Sequence, residues 1–299
     1  MRTSTNPIEV VKGGVTTVLD TLAFNIETKT GLAGMAPLRG GDNVIPGKHG
    51  RLYTPGRKRE EGRIYLSMWV TNTDADGILA ATAVAQHAQY RANVDALMML
   101  FDTDVTTITL REQISATETR EAVCECEIGL RPDRDNPAYA RMTVELIIID
   151  TFWASTADAE WISTVGTGAA NSGNPITLTP FDGATAPMES LLISIDGTWT
   201  NPSITDVGSG HRLQWTGTLG SGRQLFFNTD TWEALEGPNT MNYTGAGGTT
   251  VTAAVAAFGA RAPKLFGLTP LPGGPKIQLT GSVLGAASRV RIKGRKRFH

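Results

Sequence analysis

Hydrophobic and polar residues alternate along much of the chain. In Arg63–Thr71, Ile64, Leu66, Met68 and Val70 fall on one side of an extended chain, with Tyr65, Ser67 and Trp69 on the other. That period of two predicts a half-buried strand. Val105–Gln113 repeats the pattern with Ile108 and Leu110 inward. Arg120–Leu130 groups Ala122, Cys124, Cys126, Ile128 and Leu130 opposite Glu121, Glu125 and Glu127. Tyr139–Trp153 begins by alternating and becomes continuously apolar at Ile147–Ile149, as a strand covered on both faces would. The period changes to 3.6 between these strands. Ile78, Ala81, Val84, Ala85, Ala88, Val94, Leu97, Met98 and Phe101 predict one long helix over 76–101, capped by Asp74 or Asp76 and laid across a sheet face.

Lys29–Gly62 fits neither period. It is dense in glycine, proline and charge, and reads as an exposed arm or a flexible loop; structureless segments of this length inside compact domains usually have a job. A second break, Gly166–Pro175, is a run of small residues that predicts a linker between domains 1–165 and 166–299. Beyond it, short strands are expected at Ile176–Thr179, Ser190–Asp196, Arg212–Thr216, Gln224–Phe227, Thr250–Ala257, Lys276–Thr280 and Arg289–Arg297. Turn signals at Asp196-Gly197, Gly220–Gly222 and Pro272–Pro275 separate them, the spacing of a β-sandwich. The fold class is therefore mainly β, with one long helix in the N-terminal domain.

Composition narrows the classes of function. The 299 residues are 40% hydrophobic and 19% charged, enough to bury two cores, and the net charge of −2 sets up no global field toward nucleic acid or an anionic membrane. Residues 1–12 hold no sustained apolar run, and no window supplies a membrane span, so a soluble chain made in the cytoplasm is expected. The two cysteines, Cys124 and Cys126, share one strand face, too far apart for an unstrained disulfide and too few for structural zinc; they read as buried thiols.

No catalytic set emerges. His49, His87, His211 and His299 are scattered without metal-ligand spacing, no G-x-S-x-G elbow or P-loop occurs, and the carboxylates show no recognisable pairing. The expectation is a non-enzyme with no cofactor and no metal.

Two features invite a binding role. In Arg289–Arg297, Arg289, Arg291, Lys293, Arg295 and Arg297 occupy alternate positions, so a strand here lines five cations along one face while Val290 and Ile292 anchor the other. One reading is an edge strand whose charges block aggregation; the other is a contact strand for an acidic neighbour or passing nucleic acid. Among the aromatics Trp199, Trp215, Phe226, Phe227 and Trp232, a sugar-stacking platform competes with burial in a core. Trp215 shares a face with Leu213 and should be buried. Phe226 and Phe227 point to opposite faces, so one of them should face outward.

Several stretches resemble the distal tail (Dit-like) protein family of long-tailed bacteriophages. One runs from TLAFNIETKTG at Thr21, through GGDNVIPGKHGR, to RIYLSMWV ending at Val70; its Val44-Ile45-Pro46-Gly47 and Gly50 match a V-P-G-x-x-G-like arm element with Ile45 inserted. A second, from Pro187 to Ala234, carries SLLISIDGTWTNPSITD and GHRLQWTGTLGSGRQLFFNTDTWEA. The closing KIQLTGSVLGAASRVRIKGR resembles the family's last strand pair. The resemblance implies an N-terminal β-sandwich or split-barrel-like domain that forms a ring, a hexamer, and a C-terminal galectin-like β-sandwich. It implies a virion protein of the tail tip that joins the tail tube protein to tail-tip or tail-associated proteins, with a tape measure protein as a further partner and no membrane. On this reading Arg39, Asp42, Lys48, Arg51, Arg57, Arg59 and Arg63 are candidate arm contacts between subunits, and the basic strand is a second contact surface. The alternative is a carbohydrate-binding adhesion module that recognises a host glycan.

Overall fold

The computed structural model describes residues 7–32, 35, 60–136, 138–163, 174–252, 255–258, 266–282 and 288–299, with backbone alone at 128–136 and 256–258. The chain divides into two compact units, Met1–Thr156 with His299 and Ala157–Phe298. The expected linker at 166–175 lies almost entirely outside the described residues.

The first unit holds β1 (Ile8–Lys12), β2 (Val15–Val18), β3 (Phe24–Thr30), β4 (Gly62–Thr71), helix α1 (Ala83–Phe101), β5 (Ile108–Gln113), β6 (Thr119–Asn136) and β7 (Tyr139–Ile148). The boundary between the units falls inside β8 (Trp153–Ile162). Antiparallel pairing runs β2-β1-β5-β6-β7-β4-β3. β6 is the longest strand among the described residues; it pairs with β5 in an unbroken register at its start and with β7 from Cys124 on, where the pairing carries three register shifts. Bulges of this kind bend a strand and increase its twist. Alternation behaves as the sequence demands: Ile64, Leu66, Met68 and Val70 are fully buried, as are Ile108, Leu110, Met142, Val144 and Leu146. Gly31 ends β3 at a φ of +84°, where a Cβ would come within 2.0 Å of the Arg63 carbonyl oxygen, so only glycine fits there.

Three expectations for this unit change. β5 begins at Ile108, and Val105 is 93% exposed. The apolar run at Ile147–Ile149 ends a strand at Ile148 rather than continuing to Trp153, and the chain turns at Thr151, whose φ is 66°. The helix is shorter than its periodicity suggests. Asp74 Oδ1 accepts from the amides of Asp76 and Ile78 at 3.0 and 2.8 Å, which locks residues 74–78 in a turn that competes with helix. The cap is Thr82, whose Oγ1 accepts from the Ala85 amide at 3.2 Å. The buried stripe is Tyr90, Asn93, Val94, Leu97 and Phe101, packed against β4 and β6, while Val84, Ala85, Ala88 and Met98 are exposed. Asn93 fixes the helix by donating to the carbonyls of Thr71 and Thr73 at 2.8 Å each.

The second unit is a sandwich. It adds β9 (Ile176–Thr177), β10 (Leu191–Asp196), β11 (Trp199–Asp206), β12 (Arg212–Trp215), β13 (Thr218–Leu219), β14 (Arg223–Asn228), β15 (Glu233–Pro238), β16 (Thr249–Thr250), β17 (Val255–Phe258), β18 (Lys276–Ser282) and β19 (Arg289–Phe298). One sheet runs β16-β15-β14-β10-β19-β8 and the other β17-β12-β11-β18-β9, with β13 beside β11. Ile193, Ile195, Leu225, Phe227, Val290 and Ile292 from the first meet Ile204, Leu213, Trp215, Ile277 and Leu279 from the second in a dry core. Gly294 leaves room for β10: a Cβ there would lie 2.7 Å from Leu191 Cδ2.

One buried carboxylate ties the loops of this unit together. Asp206 is fully buried and accepts four hydrogen bonds, from the amide and hydroxyl of Ser209 and from the amide and hydroxyl of Thr269. Replacing it takes the acceptor from the exposed Ser209 and the half-buried Thr269 together. Asp206→Ala should lower the unfolding free energy of this unit by about 2–4 kcal/mol, read from denaturant melts of the variant and the parent.

Candidate assembly surfaces

Three surfaces follow from these elements, and each brings together residues that the sequence keeps apart. The first is the outward face of β3-β4-β7. Register places Tyr65 opposite Glu145 and Trp69 opposite Arg141. The Tyr65 hydroxyl donates to Glu145 Oε1 at 2.8 Å, and the Arg63 guanidinium reaches the same carboxylate at 2.6 Å and also pairs with Glu127. Arg141 pairs with Glu27 at 2.7 Å and donates to Ser67 Oγ at 2.9 Å, so the ladder continues across β3. The tyrosine hydroxyl, and after it the guanidinium, hold Glu145 below the ordinary carboxylate range; the Glu145 contact in turn pushes the Tyr65 phenol up. Arg63 is the one arm candidate among the described residues, and its guanidinium is committed to its own sheet. Arg39, Asp42, Lys48, Arg51, Arg57 and Arg59 lie outside the described residues. Glu145 was open to sequence reasoning: it shares a parity with Tyr139, Arg141 and Thr143, opposite Met142, Val144 and Leu146.

The second surface is the basic strand. β19 pairs with β10 on one side and with β8 on the other, so it is an inner strand and not the edge that its charges suggest. The cations do share a face, and that face is neutralised locally. Arg291 and Arg289 approach Asp196 Oδ2 at 2.7 and 3.4 Å, and Asp196 is 5% exposed. Ser194 supports the other carboxylate oxygen at 3.0 Å and accepts from Gln224. Lys293 pairs with Asp158 at 3.0 Å and sits over the Tyr243 ring, whose hydroxyl donates to Glu160 at 2.7 Å. Burial, reinforced by Glu160, pushes the Tyr243 phenol well above its ordinary value. Arg297 donates to Ser190 Oγ at 3.1 Å, and Arg295 is partnered as well. Asp196 gave no signal in the sequence, where it reads as the start of the Asp196-Gly197 turn.

The aromatic residues are core rather than platform. Trp199, Trp215, Phe226 and Phe227 are all at most 4% exposed, and only Trp232 is partly open. Phe226 and Phe227 do point to opposite faces, yet both are buried. The loop after β15 folds back over the sheet, with Met241 buried and Gly245 close to Leu235 and Phe226. Four of the five aromatics are thus unavailable for stacking on a sugar.

The third surface is the outer side of α1. Val84 is 82% and Met99 73% exposed, and a cleft of about 350 Å³ separates the last turns of the helix from Val15, Thr17 and Phe24. Lys12 reaches across to the carbonyls of Met99 and Asp102 at the helix end. Among the described residues, no group of His, Cys, Asp and Glu is placed to hold a metal, and no helix is long and apolar enough to cross a membrane.

No family model matches the sequence, and no curated protein matches it. Among solved structures the fold is similar to that of the Dit protein of phage SPP1, a paradigm of the hub adsorption apparatus in phages that infect Gram-positive bacteria. The TM-score is 0.60 at 12% identity, over 98% of this chain and 99% of that one. The phage p2 baseplate in its activated conformation with Sr aligns at a TM-score of 0.38 and 10% identity, over 97% and 98% of the two chains. On the SPP1 match, this chain has the fold of a Dit hub protein along nearly its whole length.

The Arg63–Glu145–Tyr65 network sets a pH dependence. A carboxylate with a lowered folded pKa adds stability that is fully present above its unfolded value, near 4.5, and is lost as pH falls through the folded pKa. Thermal melts should show Glu145→Gln flattening the acid limb below about pH 4.5, with the difference from the parent shrinking at lower pH. An unchanged acid limb in the variant would remove Glu145 as its source.

Proposed function

We propose that the protein is a structural component of a phage tail tip, whose copies close into a ring, a hexamer, that joins the tail tube to the tip and host-recognition proteins. One observation carries this reading: the fold matches the SPP1 Dit hub protein from end to end, both units included. The resemblance of Thr21–Val70 and Pro187–Ala234 to Dit-like sequences points the same way. The role proposed is geometric and not catalytic, and its site is the virion.

Within that reading the arm reaches a neighbouring subunit, and its charges, Arg39, Asp42, Lys48, Arg51, Arg57 and Arg59, make the contact. A closed ring needs head-to-tail interfaces, and an arm can bury area across each of them. The tail tube protein, the tail-tip proteins and a tape measure protein are the partners that such a ring would meet. The basic strand fits an acidic neighbour poorly while Asp196 and Asp158 hold its cations, so we assign it to the stability of the second unit.

Light scattering on the purified protein, followed by negative-stain images of the same peak, should give a six-copy mass and a ring with a central hole. Deleting residues 39–59, which spares β4, should leave a folded protein that forms no ring. Rings that persist after the deletion would overturn the arm contact, and a parent protein that never exceeds two copies would overturn the ring.

A further inference from the structure

The outer side of α1 has the wrong chemistry for a solvated helix. Such faces normally carry charge. Here the residues turned directly away from the buried stripe are Ala88, Ala92 and Met99, flanked by the 82%-exposed Val84. Arg91 and Asp95 are the only charged residues on this face, and both lie on the same flank. They stand one turn apart, both exposed, and neither has a partner among the described residues.

That arrangement is self-complementary. In two antiparallel helices related by a two-fold axis, equivalent flanks adjoin. With the axis at Ala92, each Ala88 faces Ala96 of the second copy, each Val84 lies near the Met99 end, and each Arg91 comes within one turn of Asp95 of the second copy. The single charged pair on the face is thereby matched twice, and the apolar side chains on the axis leave water together. A parallel two-fold pair would set the charged flank of each helix against the uncharged flank of the other and leave Arg91 and Asp95 unmatched.

We propose that the outer face of α1 is an isologous docking surface for a second copy of this chain, packed antiparallel about Ala92. The contact is independent of ring closure, because a two-fold contact pairs copies whereas a ring needs a head-to-tail one. It would join two rings, or two free subunits before rings form. A single helix pair is a small interface, so pairing should depend on protein concentration.

Cross-linking the full-length chain in a Cys126→Ser background tests the proposal. Under mild oxidation, Ala92→Cys should form a 92–92 disulfide dimer, while Val105→Cys, on a 93%-exposed position off the helix, reports collisions alone. Arg91→Asp and Asp95→Arg should each weaken pairing about tenfold, and the double variant should restore it. Equal cross-linking at 92 and 105, or a double reversal no better than either single one, would overturn the contact. Rings formed without 92–92 bonds would sink this proposal and leave the ring reading intact; 92–92 dimers without rings would do the opposite.

Discussion

A sheet of seven strands has to hide one whole face, and in the first unit the bent strand β6 makes this possible. Its first residues pair with β5 and its later ones with β7, and three register shifts within the β7 pairing bend the strand and increase its twist. Without that bend, the buried rows Ile64–Val70 and Met142–Leu146 would lie flat, and α1 could cover only part of them. The helix closes what the sheet leaves open. Asn93 sets its position by donating to two carbonyls at the end of β4, and Phe101 anchors its last turn.

Alternating positions made the central strands legible. Where the sequence misled, local side-chain chemistry or tertiary context had overridden the period. Asp74 satisfies two amides that a helix would otherwise have claimed, so the helix begins at Ala83, behind its cap Thr82. β11 was unreadable because Asn201-Pro202 looks like a turn; the strand tolerates it through a register shift, with Asn201 at a φ of 51°. The N-terminal strands β1 and β2 are short, and β3 ends in the polar run Glu27–Thr30, so none of the three stood out. The apolar stripe of α1 was misassigned because alanine is apolar on both sides of the helix, and periodicity alone cannot tell which side is covered.

The charged surfaces show a similar division. The five cations of β19 were visible as a row, but their meaning depended on Asp196, Asp158 and Glu160, which come from other strands. A charge row is a statement about one strand, whereas its neutralisation is a statement about register. The same holds for Arg63, which meets Glu127 from β6 and Glu145 from β7 besides its chain neighbour Glu61. In both units the exposed side of the sheet is tied together by such cross-strand pairs.

The loop that lays Met241 over the second unit has a consequence for how such domains can diverge. Surface loops are usually where related chains accept insertions, because nothing beneath depends on them. Here Phe226 and Leu235 depend on the segment from Met241 to Gly248, and Tyr243 ties it to Glu160. An insertion there would strip a sheet of its cover, so length variation among related chains should collect at other loops.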